Sequence, residues 1–474
     1  MRKIAAFTIR SITPVSIGWY EPQIYDDVAM LRIPSIRGAV RWWTRALVAG
    51  VAFDNGLDEK DYAERVTNAV FGGIQNGSRS SLIALRVTVN SLQELTDQEV
   101  NYLLRNISRL ALLTMGMNQG ESIEFVRNAF RKNIQAVVEL YSLSKEPKEF
   151  YENLAIVSTM LAFTLGGLGK GSRRGLGAFA VENITMGDKI ANSTQELVDQ
   201  LSQNLIRDQT DINVALGRLR ALINISRRIL AQQFSRRGFH NRIPEIHAIT
   251  KERYFNLFIK DVRQFNIRNS LEALSFIQKI FLRNPRNMPR NLDSLSNRLQ
   301  DTSGLHAARA IGSYFEGLPR LATRKNVYRL VDRRLRNCLS RNNIARDIDT
   351  GYIISEERRA SPIIATFITN NIVAFSMFLS NDWPDKIEWI SLHMIHSKTK
   401  RPPAPRRGIF ADEFLLREFE LDLRTGNLLQ KRSVQCTLTG RVPMTTPKVR
   451  TIMDAYKTSC DYFFRVLRCQ RVWP

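Results

Sequence analysis

The sequence predicts an α+β protein, because strand patterns and helix patterns alternate along its first part. Residues 3–17, 80–90 and 177–186 are rich in β-branched and apolar residues, which is typical of strands. Residues 36–50 place apolar side chains at helical spacing, and the apolar run 150–165 predicts a buried helix. The order strand, helix, strand, helix, strand is that of a ferredoxin-like domain, which is also the RRM-like topology.

Helical patterns dominate the middle of the chain. Residues 97–114 and 121–140 have helical spacing, and residues 194–300 are predicted to be mostly helical, with arginines opposite an apolar face. We therefore predict an N-terminal ferredoxin-like domain over residues 1–190. A large Arg-rich helical insertion is predicted over residues 191–350.

Strand patterns return after the insertion. Residues 361–379 predict a hairpin, because two β-rich runs meet at Asn370-Asn371, a pair suited to a tight turn. Residues 387–395 predict a further strand. The remainder of a second α+β domain is therefore expected over residues 351–474.

The charge of the chain gives the first indication of a partner. Its 474 residues include 69 basic and 45 acidic side chains, a formal net charge of +24, and 52 of the basic ones are arginine. Residues 191–350 alone hold 28 basic and 14 acidic side chains. Because the guanidinium fork matches phosphate geometry, this excess favours a partner with a phosphate backbone. Pairing of these arginines within a protein assembly is the alternative.

Composition also excludes several classes of protein. Four cysteines without a C-x-x-C motif argue against a disulfide scaffold and against a cysteine-rich zinc site. The sequence contains no run of about 18 apolar residues, so no transmembrane helix is predicted. The first residues do not resemble a signal peptide. We therefore expect a cytoplasmic protein that does not bind membranes.

A glycine-rich loop is the most distinctive local feature. Residues 166–177 read GGLGKGSRRGLG, with six glycines in twelve positions. Glycine allows the main chain to approach a ligand closely. Exposed N–H groups beside Lys170, Ser172, Arg173 and Arg174 predict a site for phosphate groups. The alternative is a flexible solvent loop.

Two nucleotide-binding motifs do not fit this loop. A Walker A motif requires Ser or Thr after its lysine, but Gly171 follows Lys170. A dinucleotide-binding loop runs from a strand to a helix, whereas this loop runs from a predicted helix to a predicted strand. No nucleotide cofactor is therefore expected.

A second motif, LRIPSIRGAVRWW, occupies residues 31–43. Arg37 and Arg41 are four residues apart on the predicted helix, so both can reach one nucleic-acid backbone. Trp42 and Trp43 are expected to point away from each other. One of them would join the core, and the other, which we take to be Trp42, would stack on a base or a partner chain.

Four sequence features together resemble those of the RAMP superfamily of CRISPR proteins. They are Ile-Thr-Pro at 12–14, IPSIRGAVRWW at 33–43, FGG followed by Gly-Ser within 71–78, and GGLGKGSRRGLGAF at 166–179. The Trp-Trp pair and ERRASPI at 357–363 are most similar to Cmr subunit one of type III-B complexes. The similarity is dense over about residues 5–180, returns near 357–375, and is weak in the Arg-rich part between them.

The resemblance implies a fold of two ferredoxin-like domains and a role in an RNA-guided complex. It implies that the chain caps the complex near the 3′ end of the guide RNA, where it binds guide or target RNA and contacts neighbouring Cmr subunits. It also implies that another subunit cuts the target. The residues expected to bind RNA are Arg37, Arg41, Trp42, Lys170, Ser172, Arg173, Arg174, Arg236, Arg237, Arg358 and Arg359.

The sequence offers little support for catalysis by this chain. Metal-free RNA cleavage requires a general base and acid, and His240, after Ser-Arg-Arg-Gly-Phe, is the best of five histidines. The absence of H-E-x-x-H, D-x-D and EF-hand patterns predicts no metal site. We therefore expect a protein that is not an enzyme. The alternatives are a guide-RNA-processing endoribonuclease that uses His240, and a protein–protein adaptor with a basic face.

Overall fold

The computed structural model of the chain describes residues 1–17, 31–73, 80–107, 110, 117–187, 190–234, 242–251, 254–267, 269–287, 363–380, 386–395, 413–422, 428–437 and 470–471. The chain divides into two compact units. The first combines Met1–Arg283, Pro362–Asp382 and Tyr462–Pro474, and the second combines Asn284–Ser361 and Trp383–Asp461. The division into three domains, over residues 1–190, 191–350 and 351–474, stays a prediction.

Within the described residues, the secondary structure mixes strands and helices. The strands are β1 (Arg2–Ser11), β2 (Ile83–Glu94), β3 (Arg131–Ser142), β4 (Phe179–Met186), β5 (Phe255–Asp261), β6 (Ile363–Phe367), β7 (Ile372–Phe378), β8 (Lys386–Ile395), β9 (Glu413–Asp422), β10 (Leu428–Thr437) and β11 (Gln470–Arg471). The helices are α1 (Ile33–Asp54), α2 (Glu59–Phe71), α3 (Asp97–Asn106), α4 (Gln119–Ala129), α5 (Glu149–Thr164), α6 (Asn192–Gln203), α7 (Ile212–Ala231) and α8 (Ser270–Asn287). None of these helices has the length and apolar character needed to cross a membrane.

Two sheets belong to the first unit. The first sheet has the order β2-β3-β1-β4, and each neighbouring pair is antiparallel. The second has the order β11-β5-β7-β6, again with antiparallel pairs. The predicted α+β class is confirmed, and so is the hairpin, since β6 and β7 pair on either side of Asn370-Asn371. A third sheet, β10-β9-β8, lies in the second unit, and β8 confirms the strand predicted at 387–395.

The helix predicted at 121–140 is wrong in its second half, and one strand interrupts the helical region that follows. Residues 121–140 contain most of α4, as predicted, but also most of β3, in which Ile134, Ala136, Val138 and Leu140 point alternately toward the core. That period of two is a strand pattern, although its residues also fit a short helix. Residues 194–300 are mostly helical where they are described, as predicted, but they also contain β5, a seven-residue strand that is buried along its whole length. A short apolar run of this kind does not distinguish a buried strand from a helix.

The core of the first unit lies between the first sheet and its helices. Helix α5 is buried continuously from Glu152 to Thr164, as its apolar sequence requires. Helix α1 packs against α2 and α5 and places Trp43, Leu47 and Val51 in the same cluster as Phe7 of β1. This packing fixes α1 beside the loop that joins α5 to β4, and that junction is the candidate site.

Candidate nucleic-acid interface

The glycine-rich loop, residues 166–177, is an ordered part of the core. The Lys170 N–H donates to the Ser16 carbonyl at 2.9 Å, and the Gly177 N–H donates to the Pro14 carbonyl at 2.9 Å. Gly169 has φ +83°, and a Cβ there would lie 2.0 Å from the Ser16 oxygen. The glycines therefore let the loop lie directly on the chain that follows β1. This geometry does not fit the alternative of a flexible solvent loop.

The other side of the loop joins the second sheet. The Ala365 N–H of β6 donates to the Arg173 carbonyl at 3.0 Å, and Arg174 forms a parallel bridge with Ala365. The Gln278 side chain of α8 donates to the Arg174 carbonyl at 2.5 Å. Arg174 is only 8% exposed. Its position indicates a structural role at this junction, and its predicted contact with RNA stays a prediction.

A pocket of about 260 Å³ lies between the loop and the first turns of α1. Its α1 side is formed by Ser35, Gly38 and Trp42. Its loop side includes Ser172 and Arg173, together with the main chain of 166–169. The structure thus brings together three of the predicted RNA-binding residues, Trp42, Ser172 and Arg173. Ser35 and Gly38 were not predicted, although a glycine inside a helical pattern is a signal that could have marked Gly38.

The two tryptophans differ in burial, as the prediction of one core residue and one accessible residue requires. Trp43 is buried and Trp42 is half-buried, and both line the pocket. The expectation that the rings point away from each other is wrong, because their centroids are 5.0 Å apart at an interplanar angle of 83°. Phe378 of β7 also meets the Trp42 ring, with a centroid distance of 5.4 Å. These contacts hold Trp42 in place at the pocket wall.

The cations of the loop lie in different surroundings. The Arg173 guanidinium lies 5.2 Å from the Trp42 ring centroid, where burial lowers the pKa of the guanidinium. The Lys170 ammonium lies 5.4 Å from the ring centroid of Phe125, and burial lowers its pKa as well. Burial also reduces the screening by water, so an anion that approached Arg173 would be attracted more strongly than an anion beside a fully exposed arginine.

The arginines of α1 also differ from one another. Arg41 closes the end of α2, since its Nη1 donates to the Phe71 carbonyl at 3.2 Å and also to the Gly72 carbonyl. Its Nη2 donates to the Asn68 side chain at 3.0 Å. Burial, followed by the charges of Arg45 and Arg37, lowers the pKa of Arg41.

Arg37 lacks such acceptors. It is half-buried, and its Nε is buried without a hydrogen-bond partner among the described residues. Arg45, one turn beyond Arg41, is exposed. Like charges four residues apart repel each other on a helix, so this row has an electrostatic cost that a bound polyanion would offset.

The face of the first sheet that points away from the helices is less suited to RNA. Glu139 alternates with the buried Val138 and Leu140, and its carboxylate lies 2.7 Å from the Lys3 ammonium. The hydrogen bond from Lys3 holds the pKa of Glu139 below its usual range. The Tyr141 hydroxyl donates to the same carboxylate at 3.1 Å. An ionised acid therefore lies beside the aromatic ring on which an RRM-like sheet would stack a base.

Several predicted residues cannot be placed at the pocket. Arg236, Arg237, His240, Arg358 and Arg359 lie outside the described residues. Their roles stay predictions. Among the residues that are described, no group of three or more His, Cys, Asp or Glu side chains could hold a metal ion.

Known proteins are similar to the part of this chain that contains the pocket. The sequence model of the RAMP superfamily matches residues 8–180, which include α1 and the glycine-rich loop. The resemblance to RAMP proteins is confirmed. The protein named CRISPR system Cmr subunit Cmr1-1 of Pyrococcus furiosus is 28% identical over 233 residues, which are 48% of this chain and 59% of that protein. The match thus spans less than two thirds of this relative.

One solved structure is similar to this chain at the level of fold. A cryo-EM structure titled Type III-B Cmr-beta bound to cognate target RNA contains a chain with a TM-score of 0.50 and 13% identity, over 80% of this chain and 94% of that chain. The crystal structure of Cmr1 from Pyrococcus furiosus in its apo form has a TM-score of 0.49 and 17% identity, over 99% of this chain and 98% of that chain.

Proposed function

We propose that this chain is a non-catalytic, RNA-binding subunit of a type III-B CRISPR complex. In this proposal it caps the complex near the guide 3′ end, binds guide or target RNA, and contacts neighbouring Cmr subunits. The RAMP match and the name of the Pyrococcus relative support the type of complex. The proposal includes two ferredoxin-like domains, and the strand order β2-β3-β1-β4 supports the first of them.

One observation carries the RNA-binding part of the proposal. The RAMP-matched residues fold so that α1 and the glycine-rich loop enclose a pocket lined by Trp42 and Arg173. An aromatic ring beside a cation is what a single-stranded nucleic acid requires for base stacking and phosphate pairing. Arg37, whose buried Nε has no hydrogen-bond partner among the described residues, supplies a second cation on the same helix as Trp42.

The test is a titration of the purified chain with labelled single-stranded RNA at several salt concentrations. Each phosphate contact adds about 0.7 to the salt dependence of single-strand binding. We therefore expect Arg37→Ala and Arg173→Ala each to weaken binding for all sequences and to lower the salt slope by about 0.7. Unchanged affinity and slope in both variants would contradict the proposed RNA path.

Arg86→Ala is the matched control. Arg86 is 70% exposed on β2, and its Nε is 3.9 Å from the Glu139 carboxylate on the opposite face of the sheet from α1. The variant removes the same charge, so we expect RNA affinity close to that of the wild type. A loss as large as that of Arg173→Ala would show that binding follows net charge rather than this site.

The same titration separates the alternatives. With EDTA present and the products run on a denaturing gel, intact RNA supports the non-catalytic subunit. Discrete fragments that disappear in His240→Ala would support the endoribonuclease. Absence of RNA binding at every salt concentration would favour the adaptor.

A further inference from the structure

Gly38 is unusual among the glycines of the site. The loop glycines have a steric reason to be glycine, since a Cβ on Gly166 would lie 2.4 Å from the Ala162 carbonyl oxygen. A Cβ on Gly38, by contrast, would meet nothing within 4 Å. Glycine inside a helix is less favourable than alanine. Neither packing nor helix propensity therefore explains why α1 has a glycine at this position.

The position of Gly38 suggests what the residue is for. Gly38 is exposed and lies in the pocket wall, near Trp42 on the same helix. Because glycine has no side chain, the pocket extends to the main chain of α1. A larger residue at this position would occupy space that the pocket offers to a ligand.

The shape and lining of the pocket indicate the ligand. Its volume of about 260 Å³ lies just below the roughly 300–1,000 Å³ of sites for drug-sized molecules, which is suitable for a single ring system. Trp42 contributes an aromatic ring to the lining, with the Arg173 guanidinium 5.2 Å from its centroid, and Ser35 and Ser172 are lining residues that carry hydroxyl groups. A base has both an aromatic face and polar edges, whereas a phosphate has polar oxygens but no aromatic face.

We propose that this pocket receives one unpaired base of the bound RNA, so that the chain prefers single-stranded RNA to duplex RNA. The inference rests on the proposed RNA-binding function. In a duplex the bases are stacked and paired, and entry of one base would require it to leave the stack. Arg37 and Arg173 would contact the backbone on either side in single-stranded RNA and duplex RNA alike.

The test fills the pocket and leaves the cations in place. Gly38→Leu adds a side chain into the pocket, and leucine favours the helix more than glycine does. Gly217→Leu is the matched control, because Gly217 is an exposed glycine of α7 whose Cβ would also meet nothing within 4 Å. Circular dichroism melting of both variants establishes that each is folded.

Affinities are measured for single-stranded RNA, for the same length of abasic ribose-phosphate strand, and for duplex RNA. We expect the wild type and Gly217→Leu to bind the single strand about 5- to 150-fold tighter than the abasic strand, the range typical of one base stacked on an aromatic side chain. In Gly38→Leu that preference should fall to about 2-fold or less, and the preference over duplex RNA should fall with it. Affinity for the abasic strand should stay unchanged.

The possible failures can be distinguished. If Gly38→Leu keeps the wild-type preference for bases, the pocket does not hold a base, and RNA binding itself remains supported. If Gly38→Leu weakens the RNA and the abasic strand equally, the pocket holds backbone and the inference is wrong. If the wild type binds neither strand at low salt, the proposed function fails first.

Discussion

Arg37 and Arg41 are one helical turn apart on α1, but alanine substitutions should have different effects at the two positions. Arg41 donates three hydrogen bonds at the end of α2, two of them to main-chain carbonyls. A hydrogen bond with a charged partner contributes about 1.5–3 kcal/mol. Because the guanidinium is half-buried and water can replace part of these bonds, we expect Arg41→Ala to lower the free energy of unfolding by about 2–4 kcal/mol.

Arg37→Ala should not destabilise the protein. Its Nε has no acceptor among the described residues, and removal of one like charge from the α1 row relieves about 0.2–0.5 kcal/mol of repulsion. Urea unfolding followed by tryptophan fluorescence measures stability, and RNA titration measures binding. We expect Arg41→Ala to lower mainly the stability and Arg37→Ala to weaken mainly the RNA binding. The reasoning is refuted if Arg37→Ala destabilises the chain as much as Arg41→Ala does, or if Arg41→Ala leaves the unfolding midpoint unchanged.

Two further predictions concern the loop and the sheet. Gly169→Ala should lower the yield of folded protein or its melting temperature, because a Cβ would lie 2.0 Å from the Ser16 oxygen at φ +83°; a melting curve equal to that of the wild type would contradict the loop geometry. The contact with Lys3 lowers the pKa of Glu139 below its usual value of 4.5, so this contact stabilises the fold fully above that pH and less as the pH falls through the lowered pKa. Glu139→Gln should therefore reduce the loss of stability in acid urea titrations, and an identical pH profile would argue against the ion pair.

The secondary structure of the site could be predicted largely from local patterns. The helix expected over 36–50 is observed as α1, which begins at Ile33 with Pro34 in its first turn. Proline at that position needs no N–H acceptor and favours the helical φ angle. The glycine-rich loop between a helix and a strand was also predicted, because six glycines in twelve residues are incompatible with either element.

The division of roles between the site residues could not be predicted in the same way. Two of the three acceptors of Arg41 are the carbonyls of residues 71 and 72, and every residue has a carbonyl, so no side chain in the sequence marks these two. The pocket joins residues of α1 to a loop more than 120 positions later in the chain. Local periodicity contains no information about such a contact. Only the packing of α1 against α5 brings the two segments together.

The net charge of +24 led to the prediction of a phosphate partner, but the structure shows that total charge does not locate the site. Many of the described arginines bind main-chain carbonyls and hold the fold together: Arg131 donates to the Phe130 carbonyl at 3.0 Å, and Arg227 donates to the Ile249 carbonyl at 2.5 Å. Such guanidinium groups are already committed to acceptors within the protein. An RNA strand would gain most from cations that make few bonds within the protein, and the Nε of Arg37 on α1 has no acceptor among the described residues. The hydrogen-bond acceptors of an arginine therefore indicate its function better than the number of arginines in a region does.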